Sequence, residues 1–174
     1  LAKKRESQNL CFFPDKLYTD FLKRYLPKKY FTPGPIKDLN NNRIGTHNGI
    51  ALYTIGQRKN LGISGQRTPL FVVKIDKKSN TIFVGQESDL YAKKITVKKL
   101  NFIGWKPDLY CEKTVKVKIR YRTKAAPAKL IIKHQAGRGT FAEVIFNKPQ
   151  RAPAKGQSAV FYAGERVLGG GVIF

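Results

Sequence analysis

From Leu70 to Phe174 the chain is a succession of short apolar–polar alternations separated by turn residues, with no helical period between them. A two-residue period sends successive side chains to opposite faces of a strand, so it commits this stretch to sheets with one face buried. The alternation places strands over 94–103, 113–122, 128–134, 140–147, 157–163 and 166–174, and Leu70–Asp76 and Thr81–Gly85 flank Lys77-Lys78-Ser79-Asn80 as a hairpin. Six strands at such intervals argue for a small closed barrel or a sandwich. In 113–122, Val115, Val117, Ile119 and Tyr121 alternate with Lys116, Lys118, Arg120 and Arg122. The first set is expected to face the core. The second set then forms a row of cations about 6.6–7 Å apart. A solvated strand face and a phosphate-tracking one predict the same row.

Upstream the pattern is mixed. Asp15 is placed to cap a helix over 16–26, with Leu17, Phe21, Leu22 and Tyr25 on one face and Pro27 stopping it. Pro33-Gly34-Pro35 and Asn40-Asn41-Asn42 bracket a second hairpin holding Ile36 and Ile44, Gly49–Ile55 fits one or two helical turns, and Gly56, Gly62 and Gly65 mark a loop. The expected organisation is a segment 1–14, a small central α+β domain over 15–91 and a six-stranded antiparallel β-barrel over 92–174. The fold class is mainly β with a small α+β part.

Charge narrows the partner. The 174 residues hold 34 Lys plus Arg against 11 Asp plus Glu, a formal charge of +23, and residues 91–174 alone hold 18 basic and 4 acidic side chains. Spread over folded elements, such an excess is either an ordinary solvated basic surface or the footprint of a polyanion, and nucleic acid is the expected partner. Membrane spans are excluded by the shortness of the apolar runs, and no basic amphipathic helix suggests a membrane surface. Two cysteines 100 residues apart form no CxxC pair, so a reduced, cytoplasmic chain without a structural zinc is expected. Opening at Leu1, the chain reads as a fragment whose upstream part is missing.

Few residues suggest chemistry by themselves. His47 and His134 have no carboxylate arranged nearby and are expected to be structural or solvent-facing; no metal ligands are assigned. Gly169-Gly170-Gly171 suits close backbone packing or a bulge. Cys11, between Leu10 and Phe12, reads either as a small buried hydrophobe or as a nucleophile activated by a neighbouring domain.

A set of ordered motifs goes further. Ser7-Gln8-Asn9-Leu10-Cys11-Phe12, Gly45-Thr46-His47-Asn48-Gly49 and Tyr53-Thr54-Ile55-Gly56-Gln57-Arg58-Lys59-Asn60-Leu61-Gly62-Ile63 come first. Lys118-Ile119-Arg120-Tyr121-Arg122, Pro149-Gln150-Arg151-Ala152, Gly156-Gln157-Ser158-Ala159-Val160-Phe161-Tyr162 and Leu168-Gly169-Gly170-Gly171-Val172-Ile173 follow. Together they resemble the bacterial tRNA-specific 2-thiouridylases over nearly the whole chain. The departures are small: Asn60 stands where the family usually has Gly, and Ala154-Lys155 replaces the common Thr-Pro.

The resemblance implies an enzyme that replaces O2 of the wobble uridine, position 34, with sulfur in tRNAs for Lys, Glu and Gln. ATP with Mg would activate the uridine in an N-terminal domain, and a sulfur-relay donor protein would charge a cysteine as persulfide. By its Ser-Gln…Cys-Phe setting that cysteine matches Cys11; Cys111 matches no motif. The resemblance further implies tRNA contact by Arg120, Tyr121 and Gln157, with Lys116, Lys118, Arg122 and Arg58 as additional RNA contacts. DNA and membranes are not implied partners. No Ser-Gly-Gly-x-Asp-Ser nucleotide loop occurs here, so the chain alone is expected to bind no ATP and to thiolate nothing. The alternative is a non-enzymatic RNA-binding module on the same barrel, with Cys11 merely structural.

Overall fold

The computed structural model describes residues 18–63, 68–121, 123–137 and 139–174. The chain divides into two compact units after Gln86.

The first unit begins with α1 (Tyr18–Tyr25), in which Asp20 in the first turn and Lys23 and Arg24 in the last complement the helix dipole. Phe21 and Tyr25, one turn apart, stack with ring centroids 4.5 Å apart. The expected cap Asp15 and Leu17 lie outside the described residues. Strands β1 (Gly34–Lys37) and β2 (Arg43–His47) form the first hairpin, and β3 (Phe71–Asp76) and β4 (Thr81–Gly85) the second. Both turns are built from short polar side chains that replace backbone partners. The Asp38 carboxylate accepts from the Asn42 amide N–H at 2.8 Å and from its side-chain amide at 2.9 Å, and that of Asp76 accepts from the Lys78 N–H at 2.9 Å. Asn41 and Asn80 take left-handed conformations. Within the stretch Gly49–Ile55, read as one or two helical turns, residues 50–52 form a single 3-10 turn.

Local pattern did not announce how the hairpins join. β1 pairs with β4 in parallel, Ile36 beside Ile82, giving one sheet of order β2-β1-β4-β3. This brings Ile36, Ile50, Leu61, Val72, Ile82 and Val84 into one core.

The second unit is the expected barrel. β5 (Tyr91–Phe102), β6 (Glu112–Lys118), β7 (Ala126–Gln135), β8 (Gly139–Arg151), β9 (Ser158–Ala163) and β10 (Arg166–Ile173) close in the order β10-β5-β8-β7-β6-β9, every neighbour antiparallel. The inward half of each alternation supplies the core, including Val97, Val115, Val117, Leu130, Ile132, Val144, Phe146 and Phe161. Closure without edges removes the unpaired strand edges that invite aggregation.

The structure corrects one reading. The strand expected over 113–122 stops at Lys118. β7 pairs with Glu112–Val117 and β9 with Lys116–Lys118, so no ladder continues beyond. Ile119 is still buried, but Arg120 enters a bend and Tyr121 a turn. The four-cation row is therefore cut after Lys118, and Tyr121, counted inward by alternation, is 89% exposed.

On the barrel's outer surface Glu143 of β8 binds Lys94 of β5 at 2.8 Å and Lys133 of β7 at 2.6 Å. Hydrogen bonds from Lys133 and then Lys94 hold its carboxyl below the ordinary 4.5. A depressed carboxyl adds stability that is present above pH 4.5 and disappears as pH falls through the folded value. Glu143→Gln is expected to cost about 1 kcal/mol at pH 7 in denaturant titrations. The difference should vanish at acid pH, and a pH-independent one would exclude this linkage.

Candidate nucleic-acid interface

The end of β6 and the start of β9 are adjacent strands, and the turns beside them frame an open groove of about 600 Å³. Its lining comprises Lys118, Ile119, Arg120, Tyr121, Gly156, Gln157, Ser158, Val160 and Tyr162, with two cations and no carboxylate. Local hydrogen bonds hold both walls. The Thr123 N–H and hydroxyl donate to the Arg120 carbonyl at 3.3 and 3.1 Å, closing the turn that presents Tyr121. Opposite, Gly156 turns with φ 87°, its N–H bonding the Ile173 carbonyl while the Ile173 N–H bonds the Gln157 carbonyl, both at 2.8 Å.

Each side chain has a distinct chemical capacity. One nitrogen of the Arg120 guanidinium donates to the Ala152 carbonyl, which orients the group. A guanidinium has five N–H donors, so the rest stay available for a phosphate. Lys118 lies 5.6 Å from the centroid of the Tyr121 ring, a cation–π distance. Tyr121 and Tyr162 offer aromatic surface to bases, and the Gln157 amide offers a donor and an acceptor to base edges or a 2′-hydroxyl.

The structure therefore brings Lys118, Arg120, Tyr121 and Gln157 together. Lys116 is exposed on β6, outside the groove lining, and Arg58 is exposed on a loop of the first unit. That loop is organised by Gln57, whose Oε1 accepts from the Thr54 N–H at 3.1 Å and whose Nε2 donates to the Lys59 carbonyl at 3.0 Å. Asn60 follows with φ 60°, a left-handed conformation in which Asn is a workable substitute for Gly. Cys11 and Arg122 lie outside the described residues. Ser158, Val160 and Tyr162 were not singled out from sequence, although alternation could have found them: Ala159 and Phe161 between them are fully buried, so these three face outward.

Neither histidine belongs to this groove. His47 is fully buried in the first unit; its Nδ1 accepts from the Gly49 N–H at 3.0 Å and its Nε2 donates to the Asn80 carbonyl at 2.8 Å. It holds the end of β2 to the β3–β4 turn.

Residues 19–86 match the family described as the tRNA methyl transferase PRC-barrel domain, and residues 92–173 the aminomethyltransferase beta-barrel domain. The chain is 45% identical to the tRNA-specific 2-thiouridylase MnmA 1 of Caldanaerobacter subterraneus subsp. tengcongensis, over 99% of its own length and 46% of the relative's. It is 42% identical to that of Acetivibrio thermocellus, with the same coverage. Against that of Clostridioides difficile it is 41% identical over 98% of its length and 45% of the relative's. It thus spans about half the length of the curated relatives it matches. With both domain models in succession and this identity sustained from end to end, the chain belongs to the tRNA-specific 2-thiouridylase family.

Proposed function

We propose that this chain supplies the tRNA-holding surface and the sulfur-carrying cysteine of a tRNA 2-thiouridylase. The observation that supports this reading is the convergence of Lys118, Arg120, Tyr121 and Gln157 on one groove with no carboxylate among its described lining residues. In the full-length protein, Cys11 carries a persulfide whose terminal sulfur attacks C2 of wobble uridine 34 of tRNAs for Lys, Glu and Gln. ATP, used in a domain outside this sequence, first converts O2 into an adenylate leaving group. The C2–S bond forms as the C2–O bond breaks and AMP departs; a second cysteine, also outside this sequence, then releases the thiolated base by attacking the S–S bond. Splitting the transfer this way uses the high nucleophilicity of a persulfide. The barrel's task is to grip RNA whose target base leaves the anticodon stack.

Arg120→Ala is expected to weaken tRNA binding by about 1–2 kcal/mol and to reduce the salt dependence by roughly one phosphate contact. Arg120→Lys keeps the charge and should retain most of the salt slope while losing the planar fork. An unchanged slope in Arg120→Ala would remove the phosphate contact. For the sulfur step, full-length protein charged with labelled persulfide should carry label at Cys11. Label that persists after Cys11→Ser would remove the role assigned to Cys11.

A further inference from the structure

Beyond the groove, one cluster of cations is gathered by an aromatic ring. Phe174 is 63% exposed, and its ring centroid lies 3.5 Å from the Lys98 Nζ and 5.3 Å from the Lys155 Nζ. The two ammonium nitrogens are therefore within about 9 Å of each other. Like charges repel, and the negative face of a ring is what offsets that cost here. Neither lysine makes an ion pair among the described residues, whereas Lys94, Lys129 and Lys133 on the same barrel are paired with Glu143 or Glu112. Those carboxylates thus neutralise cations on β5 and β7, and no carboxylate among the described residues pairs with Lys98 or Lys155.

The backbone joins the cluster to the groove. Lys155 immediately precedes the groove residues Gly156 and Gln157, and this turn is bonded in both directions to Ile173, the neighbour of Phe174. The Phe174 N–H in turn donates to the Thr96 carbonyl at 2.9 Å, fixing it beside the strand that carries Lys98. The turn that carries Lys155 and Gln157 is therefore bonded to the strand end that carries Phe174.

We propose that Lys98, Lys155 and Phe174 form a second RNA-backbone contact, continuous with the groove, in which the ring positions two ammonium groups for the phosphates of the same bound RNA. This rests on the reading of the groove as an RNA-binding surface. A phosphodiester chain fits because two neighbouring ammonium groups without a carboxylate partner among the described residues match phosphate charge, and each such contact adds counterion release on binding.

The test is tRNA binding by the 174-residue chain across a salt series. Lys98→Ala with Lys155→Ala is expected to weaken binding roughly tenfold at low salt and to flatten the slope of log K against log salt by about 1.5–2. Phe174→Ala, which leaves both charges but frees them, should cost a few-fold; Phe174→Trp keeps a ring and should restore affinity. Melting curves check that these exposed changes leave the barrel folded. If Arg120→Ala weakens binding while the double lysine variant matches wild type in affinity and slope, the second contact is wrong and the groove stands. If neither variant changes binding, the groove reading fails and takes the second contact with it.

Discussion

Gly170→Val is expected to lower the melting temperature of the barrel by roughly 10–20 °C, from an overpacking cost of about 2–3 kcal/mol. A Cβ at Gly170 would sit 2.5 Å from the Ala159 carbonyl oxygen and 3.4 Å from the Val160 Cα. Both are backbone atoms of the neighbouring strand, and Gly170 pairs with Val160 in the ladder, so nothing can rotate away. Gly171 is as tight, 2.5 Å from the Lys98 carbonyl oxygen, and the register slips between Gly170 and Val172 against β5. The three glycines let β10 bulge between two strands at short range. The same change should weaken RNA binding, because the strand it displaces carries Val160 into the groove. Gly137→Ala is the contrast: its Cβ would meet nothing within 4 Å, and only the left-handed φ of 73° opposes it, at about 1 kcal/mol. Differential scanning calorimetry of both variants decides the matter; equal shifts would mean that close approach is not what the glycines provide.

His47→Ala should destabilise the first unit by about 2–4 kcal/mol, a large share of the stability of a domain this small. The loss removes two partners at once, leaving the Gly49 N–H and the Asn80 carbonyl with no bond from the imidazole. It also opens a cavity where a fully buried ring stood. Amide hydrogen exchange locates the effect: protection should fall at Gly49 and along β1 and β2, and the barrel amides should be unchanged. Undiminished protection at Gly49 would show that the imidazole is not what holds this amide. His47→Asn, which can still present an oxygen to Gly49, should recover part of the stability.

Both predictions concern residues whose type was legible in the sequence and whose partners were not. The hairpins around Asn40–Asn42 and Lys77–Asn80 could be read because a turn depends on four or five consecutive residues. The strands of the barrel could be read because alternation is a local property. The parallel pairing of Ile36 with Ile82 could not, since nothing in either segment states which distant apolar face it will meet. Tyr121 shows the limit of alternation itself. A period of two persists only as long as a ladder holds the chain extended, and β6 loses its ladder after Lys118. The resemblance named Tyr121 as an RNA contact while alternation turned it inward; the strand's early end removes that conflict.

The amino-acid sequence by itself determined the β character of the chain, its two hairpins, its charge excess and, through ordered motifs, its family. These depend on neighbours in the chain or on residue types alone. Only the tertiary structure decided which cations act together. Lys118, Arg120 and Gln157 share a groove because β6 and β9, far apart in the chain, pair in the barrel, and Lys98 meets Lys155 on one ring because β10 closes the barrel against β5. Closure is a collective outcome of burying six apolar faces at once, so the position of each surface charge follows from the core and not from its own neighbours.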